Sequence, residues 1–245
     1  VQYALSPLAR GGISTVHDVS WRIGPEWFSP RDRKLLDLGV RSAARFGGRI
    51  VTVSEGSRRE IAAHYPEAAA KTVAIPNARP PWIGPVPDAA ERRARLGIAE
   101  PYLLTVGTRW TRKNVELAIA AADALPDRHP HRLVVTGKAG AEGGLGRRGI
   151  ATGYVSADDL SALYMGASAY LAPSRHEGFG IPVLEAMACG APVFASPAFA
   201  EAVGDAGEIV SPDDWPGRLA ALLDDPGKLP DLRERGFGHE RRFTW

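Results

Sequence analysis

Short runs rich in Val, Ile, Leu and Ala, each bounded by turn residues, alternate along this chain with longer segments whose apolar residues fall three and four apart. A strand buried on both faces reads as such a run and an amphipathic helix as such spacing. The alternation therefore predicts an α/β fold: a doubly wound parallel sheet with helices on both faces. The pattern predicts strands at 49–53, 72–75, 102–106, 132–136, 150–155, 169–172, 192–195 and 207–210, and helices at 54–64, 114–125, 157–165, 182–188 and 215–223. The run Ile13-Ser14-Thr15-Val16 adds a strand pattern just ahead of His17.

Five prolines and Gly84 interrupt the pattern between Pro76 and Pro87, as an interdomain linker does. This divides the chain into a partial N-terminal domain, 1–85, and a C-terminal domain, 86–245. Residues 137–149 hold six glycines in 13 positions and read as a loop that is costly to order. With 44% hydrophobic and 24% charged residues, general disorder is excluded. Thirty Lys and Arg against 28 Asp and Glu give no clustered basic excess, so no nucleic-acid partner is expected. A lone cysteine, Cys189, permits neither an internal disulfide nor a Cys-based metal site and points to a reducing cytoplasm. No apolar run approaches the about 20 residues that span a bilayer, which leaves peripheral contact at the inner membrane face as the membrane option. Residues 1–5 lack a basic region followed by an apolar one, and the chain opens without Met on what reads as the middle of a segment, as a truncated or processed chain would.

The segment from Ser174 to Gly190 starts at the carboxyl end of the strand expected at 169–172, runs through a glycine turn and enters a helix. In open parallel sheets ligands bind just outside the carboxyl ends of strands. Gly178 and Gly180 let backbone N–H groups approach a ligand, and the helix N-terminus behind them attracts anions such as a diphosphate. Glu185, expected in the opening turn of that helix, can accept two ribose hydroxyls, while Glu177 reaches a sugar from the loop. The bland alternative makes Glu177 a solvated loop residue and Glu185 a favourable partner of the helix dipole, worth about 0.3–1 kcal/mol. A second cluster, Gly107 to Asn114, follows the strand expected at 102–106 and carries Arg109, Arg112 and Lys113. These cations either face a developing diphosphate charge or form a basic loop in water.

The glutamates at 177 and 185, set within Glu177-Gly178-Phe179-Gly180 and Leu184-Glu185-Ala186-Met187-Ala188-Cys189-Gly190, resemble the signature of family 4 retaining glycosyltransferases of the GT-B fold. The resemblance extends upstream through Val16-His17-Asp18, Val53-Ser54-Glu55, Pro76-Asn77, Thr105-Val106-Gly107-Thr108 and Arg112-Lys113-Asn114. Downstream it runs through Glu201 and Val203-Gly204-Asp205 to Arg242-Phe243-Thr244-Trp245, so it covers essentially the whole chain. It implies two Rossmann-like domains, of which this chain would lack most of the first, acceptor-binding one, and a final helix that the chain stops short of. It also implies transfer of a hexose from a nucleoside diphosphate sugar to a hydroxyl of a carbohydrate or lipid-linked acceptor.

In the family, the lysine at the position of Lys113 binds the diphosphate together with an arginine after the strand's glycine. Here that second position is Thr108, which passes the arginine's role to Arg112 or Arg109. The histidine matching His17 contacts the donor sugar from the opposite side of the cleft, where its imidazole or backbone carbonyl shares a proton or orients the sugar near the reacting carbon. The resemblance thus implies catalytic roles for His17, Lys113 and Glu177. It implies donor contacts for Gly107, Thr108, Arg109, Arg112, Lys113, Glu177, Gly178, Phe179, Gly180, Ile181 and Glu185. The Gly-Thr and Arg-Lys-Asn wording resembles mannosyltransferase-like members, which implies GDP-mannose as donor. No cofactor and no metal are expected, because the chain has no Asp-x-Asp, no His-Glu-x-x-His and no Gly-Lys-Ser/Thr motif. Two other readings stand beside this one. The chain could bind a nucleotide sugar without turnover, or it could be a nicotinamide-dependent oxidoreductase. The second is disfavoured because Gly144-Leu145-Gly146-Arg147-Arg148-Gly149 runs into a strand pattern rather than a helix.

Overall fold

The computed structural model describes residues 11–137 and 144–245. Residues 1–5, with the opening discussed above, and the middle of the glycine-rich stretch lie outside the described residues. The chain divides into two units, one built from the residues up to Asn77 together with His176–Phe179, the other from Ala78–Arg175 and Gly180–Trp245.

In the first unit, β1 (Ile13–Thr15), β2 (Arg49–Thr52) and β3 (Thr72–Ala74) form a parallel sheet in that order. The connections are α1 (Ser20–Ile23), α2 (Pro30–Phe46) and α3 (Glu55–His64). Sequence pattern did not predict α2, although its start carries a strong signal: Ser29 Oγ accepts from Asp32 N at 3.1 Å and Pro30 fills the first turn. Its apolar stripe is blurred because Leu35 and Leu38 are exposed, while small residues, Ala43 and Ala44, join Val40 in the core. That core also holds Val16, Trp21, Ile50, Ile61 and Tyr65.

The second unit contains α4 (Ala89–Arg95), β4 (Tyr102–Val106), α5 (Val115–Asp123), β5 (Arg132–Thr136), β6 (Gly149–Gly153), α6 (Ala157–Gly166) and β7 (Ala169–Ala172). It continues with α7 (Ile181–Ala188), β8 (Val193–Ala195), α8 (Ala200–Val203), β9 (Gly207–Ile209), α9 (Trp215–Asp224) and α10 (Lys228–Glu240). Its parallel sheet has the order β6-β5-β4-β7-β8-β9. The first strand in sequence therefore lies in the middle, and later strands were added first on one side and then on the other. Trp215 anchors the core beneath the sheet: its ring meets Phe194 edge to face at 5.0 Å and its Nε1 donates to the Val210 carbonyl at 3.1 Å. β6 begins directly at the end of the Gly144–Gly149 run, so no helix follows those glycines. Among the described residues no helix is long and apolar enough to cross a membrane.

The proline-rich stretch is not a solvated linker. Ala78 and Ile83 are buried, Arg79 pairs with Glu240 at 2.5 Å, and Gly84 N donates to Ser161 Oγ at 3.3 Å. Trp245 Nε1 also donates to the Arg79 carbonyl at 2.9 Å. These bonds tie residues 78–87 into the second unit and place the division between Asn77 and Ala78, ahead of the 85/86 boundary expected from composition. Prolines punctuate a chain equally well when it is packed as when it is free.

Candidate active site

The strand order reverses between β4 and β7, neighbours whose outgoing connections leave toward opposite sides of the sheet. Such a reversal opens a crevice outside the carboxyl ends of the two strands, the usual ligand position in open α/β sheets. Each loop at this point carries one of the clusters singled out above.

The β4 loop runs from Gly107 into a 3-10 turn, Thr111–Lys113, and Asn114 then starts α5. Lys113 is half-buried, and its stem runs back toward the strand exit, with Cδ 4.0 Å from where a Cβ on Gly107 would lie. Arg112 is half-buried too, and its carbonyl accepts from Arg175 N at 2.9 Å. Thr108 is half-buried, with its carbonyl accepting from Trp110 N at 2.7 Å. Arg109 is committed elsewhere. Its guanidinium forks onto Glu116 at 2.6 and 2.9 Å and also donates to the Gly144 carbonyl at 3.1 Å. Of the two arginines left open as substitutes for the diphosphate arginine, Arg112 is therefore the one whose side chain is not held on Glu116.

Asn114 joins the two loops. Its Nδ2 donates to the Pro173 carbonyl and its Oδ1 accepts from Arg175 Nη2, each at 3.3 Å. Among the described residues it is the non-glycine residue with positive φ, at 51°. Asparagine tolerates that region better than most residues, the one signal in the sequence that could have marked it. Asn114→Ala is expected to cost about 1–3 kcal/mol, from two lost bonds and a conformation alanine resists, and Asn114→Gly about 1 kcal/mol less. Urea unfolding of both variants measures this; equal stabilities would remove the backbone part of the explanation.

On the β7 side, Gly180 precedes α7 with φ of 107°, and a Cβ there would sit 2.5 Å from the Phe199 ring, so only glycine fits. No side chain caps α7, and Ile181 and Pro182 form its half-buried first turn. The helix ends in a Schellman arrangement, with Gly190 N donating to the Met187 carbonyl and Ala191 N to the Ala186 carbonyl. Glu185 lies in the second turn rather than the opening one, because the helix starts at Ile181; this removes the reading of Glu185 as a dipole partner. The residue is 8% exposed, and its carboxyl accepts from Tyr164 OH at 3.1 Å. Burial pushes that carboxyl above the usual carboxylate range, against the pull of the Tyr164 bond, and burial likewise holds the Tyr164 phenol well above its ordinary value. Tyr164 lies 21 residues away, and no local pattern marked it.

The intervening residues His176–Phe179 group with the first unit. There His176 Nε2 lies 3.0 Å from both carboxylate oxygens of Glu60, and Ser57 Oγ donates to the Gly178 carbonyl at 3.1 Å. Gly178 is packed so closely that a Cβ would lie 3.0 Å from the His17 carbonyl oxygen, which itself accepts from Thr52 Oγ at 3.3 Å. Glu177 is half-buried and Phe179 buried. The His17 side chain is exposed, and Asp18 Oδ1 accepts from Ser20 N at 2.8 Å to hold the start of α1. Among the described residues no group of three or more His, Cys, Asp or Glu is placed to hold a metal ion.

Known proteins share this architecture. WaaG, a glycosyltransferase involved in lipopolysaccharide biosynthesis, superposes with a TM-score of 0.79 at 20% identity, over 95% of this chain and 72% of its own. HepE of Anabaena, in complex with UDP and glucose, gives 0.79 at 20% identity, over 96% of this chain and 68% of its own. These likenesses establish the fold as the GT-B type. In sequence, the O-antigen chain mannosyltransferase B of Escherichia coli is 32% identical across 95% of this chain and 66% of its own length. A D-inositol 3-phosphate glycosyltransferase of Thermobispora bispora is 31% identical across 85% and 55%. The chain thus spans two thirds or less of the length of these two relatives. The family profile described as "Glycosyl transferases group 1" matches residues 100–225, just over half of the chain and every strand of its larger sheet. With both the loops at the strand-order reversal and the whole β4–β9 core inside that match, the chain belongs to the group 1 glycosyl transferases.

Proposed function

We propose that the chain acts in a retaining glycosyltransferase that moves a hexose from a nucleoside diphosphate sugar to a hydroxyl of a carbohydrate or lipid-linked acceptor. The observation that carries this reading is the pairing, at one strand-order reversal, of a half-buried Lys113 over the β4 exit with a buried carboxylate, Glu185, behind the β7 exit. Lys113 and Arg112 take the diphosphate, whose charge grows as the sugar–phosphate bond breaks. Charge-assisted donors aimed at that charge are a large stabilising effect. Glu185 takes the ribose hydroxyls, and Gly107, Thr108, Gly180 and Ile181 offer backbone at the strand exits. Glu177, Gly178, Phe179 and His17 are assigned to the sugar and distal phosphate by their motif.

GDP-mannose is the proposed donor, supported by the relatives named as mannosyltransferases; the UDP and glucose bound to HepE make uridine donors the competing choice. Calorimetry against a panel of GDP and UDP sugars tests both, and no binding by any member would overturn the reading. Donor binding without turnover is the second reading. A transfer and hydrolysis assay on the same protein separates the two.

Two cations beside the diphosphate supply the neutralisation that a metal gives in other transferases. Activity is therefore expected to survive EDTA. Full loss restored by magnesium or manganese would sink the metal-independent reading.

A further inference from the structure

A cavity of about 490 Å³ opens in the first unit between α1 and the start of α2, lined by none of the residues assigned above. Its volume falls in the usual range for small-molecule sites. Three of its four charged lining residues are cations: Arg22, Arg33 and Lys34, against Asp37. Asp37 has its partners already. It accepts from Arg22, from Arg41 Nε at 3.0 Å and from Tyr65 OH at 2.5 Å. Those bonds also fix Arg22, whose Nε donates to Tyr65 OH at 3.1 Å. Arg33 is different: its Nε is buried and has no hydrogen-bond partner among the described residues. Arg33 itself lines the cavity and forms no ion pair among the described residues. Lys34 forms no ion pair among the described residues either, which leaves an uncompensated double positive charge on the lining. Pro25, Pro30 and Trp21 supply apolar wall.

We propose that this cavity binds the phosphate of a phosphate-bearing saccharide, with the Arg33 guanidinium and the Lys34 ammonium on the anion, the pinned Arg22 beside them, and the sugar ring against the two prolines. A phosphate monoester carries a charge of about −1.5 to −2 at neutral pH, which matches the excess on the lining. The inference rests on the glycosyl-transfer reading only in naming that saccharide as the acceptor; the anion site itself stands on the cavity.

The test is calorimetry on the full chain with a saturating nucleoside diphosphate present, so that the cations of the β4 loop are occupied. Glucose 6-phosphate is expected to bind saturably and more tightly than inorganic phosphate, and glucose not to bind. Arg33→Gln and Lys34→Gln are each expected to weaken glucose 6-phosphate about 10- to 100-fold, the equivalent of one charged hydrogen bond, while Arg33→Lys recovers part of the loss. Nucleotide affinity is expected to stay at the parent value in all three variants. Equal affinity of parent and glutamine variants for glucose 6-phosphate, or binding of phosphate and glucose 6-phosphate alike, would overturn the site as one that meets an adventitious ion only. Failure of the donor reading shows separately, as absent nucleotide binding in the parent, and leaves the titration of the cavity readable.

Discussion

Replacing Lys113 by alanine is expected to lower the turnover of donor about 100- to 1,000-fold, by analogy with removal of one preorganised donor to a developing oxyanion. Affinity for the free nucleoside diphosphate is expected to change far less. The two effects separate because charge accumulates on the leaving diphosphate in the transition state, and only interactions stronger there than in the ground state raise the rate. The stem of Lys113 runs back from the end of a 3-10 turn to pass Gly107 at the β4 exit, and the residue is half-buried there. A lysine merely solvated at a helix start would contribute almost nothing. Steady-state kinetics at saturating acceptor decides the matter. A rate within twofold of the parent would return Lys113 to ordinary surface and leave the diphosphate to Arg112 and backbone N–H groups.

Glu185 carries the second large effect, and its burial gives that effect a signature. Glu185→Ala is expected to weaken nucleotide affinity about 10- to 150-fold, the equivalent of 1.5–3 kcal/mol for hydrogen bonds to a charged group. If the carboxylate holds ribose hydroxyls, the parent prefers a ribonucleotide to its 2′-deoxy analogue and the variant does not. Glu185→Gln keeps the Tyr164 bond and removes the charge. Because burial raises the native carboxyl, the folded state holds its proton to higher pH than the unfolded state does. Stability conferred by the protonated form is therefore present below the ordinary carboxylate range, about 4.3, and lost as pH rises through the raised native value. Glu185→Gln should accordingly raise the melting temperature near neutral pH, by about 2–4 °C per kcal/mol relieved, and leave it unchanged below about pH 4. A glutamine variant that melts lower at neutral pH while binding nucleotide normally would make Glu185 a structural partner of Tyr164.

The second unit's strands were legible because each is a short apolar run between turns, and a strand buried on both faces writes itself into composition. Helices whose burial rests on small residues were not. In α10, Gly236 and Gly238 argue against a helix, yet Gly236 faces Met187 of α7, where a Cβ would come within 3.3 Å of the Met187 side chain. Glycine here allows two helices to approach, and nothing local distinguishes that use from a turn. The glutamate pair and the basic loop were visible as motifs on strand exits. Their settings were not: Tyr164 beneath Glu185, Glu116 holding Arg109, and Asn114 joining two loops all depend on partners that only the folded chain brings near. The same holds for Glu60 beside His176, 116 residues apart.

The allocation of His176–Phe179 to the first unit has a practical consequence for engineering by modular exchange. The backbone passes from one unit to the other at 77/78, at 175/176 and again at 179/180, so the units are not two consecutive halves that can be cut and rejoined once. A chimera spliced at 77/78 alone would carry His176 and Gly178 from one parent and their partners Glu60, Ser57 and the His17 backbone from the other. Recombination between relatives therefore needs the four-residue insert to travel with the N-terminal parent, as a matched cassette of three junctions.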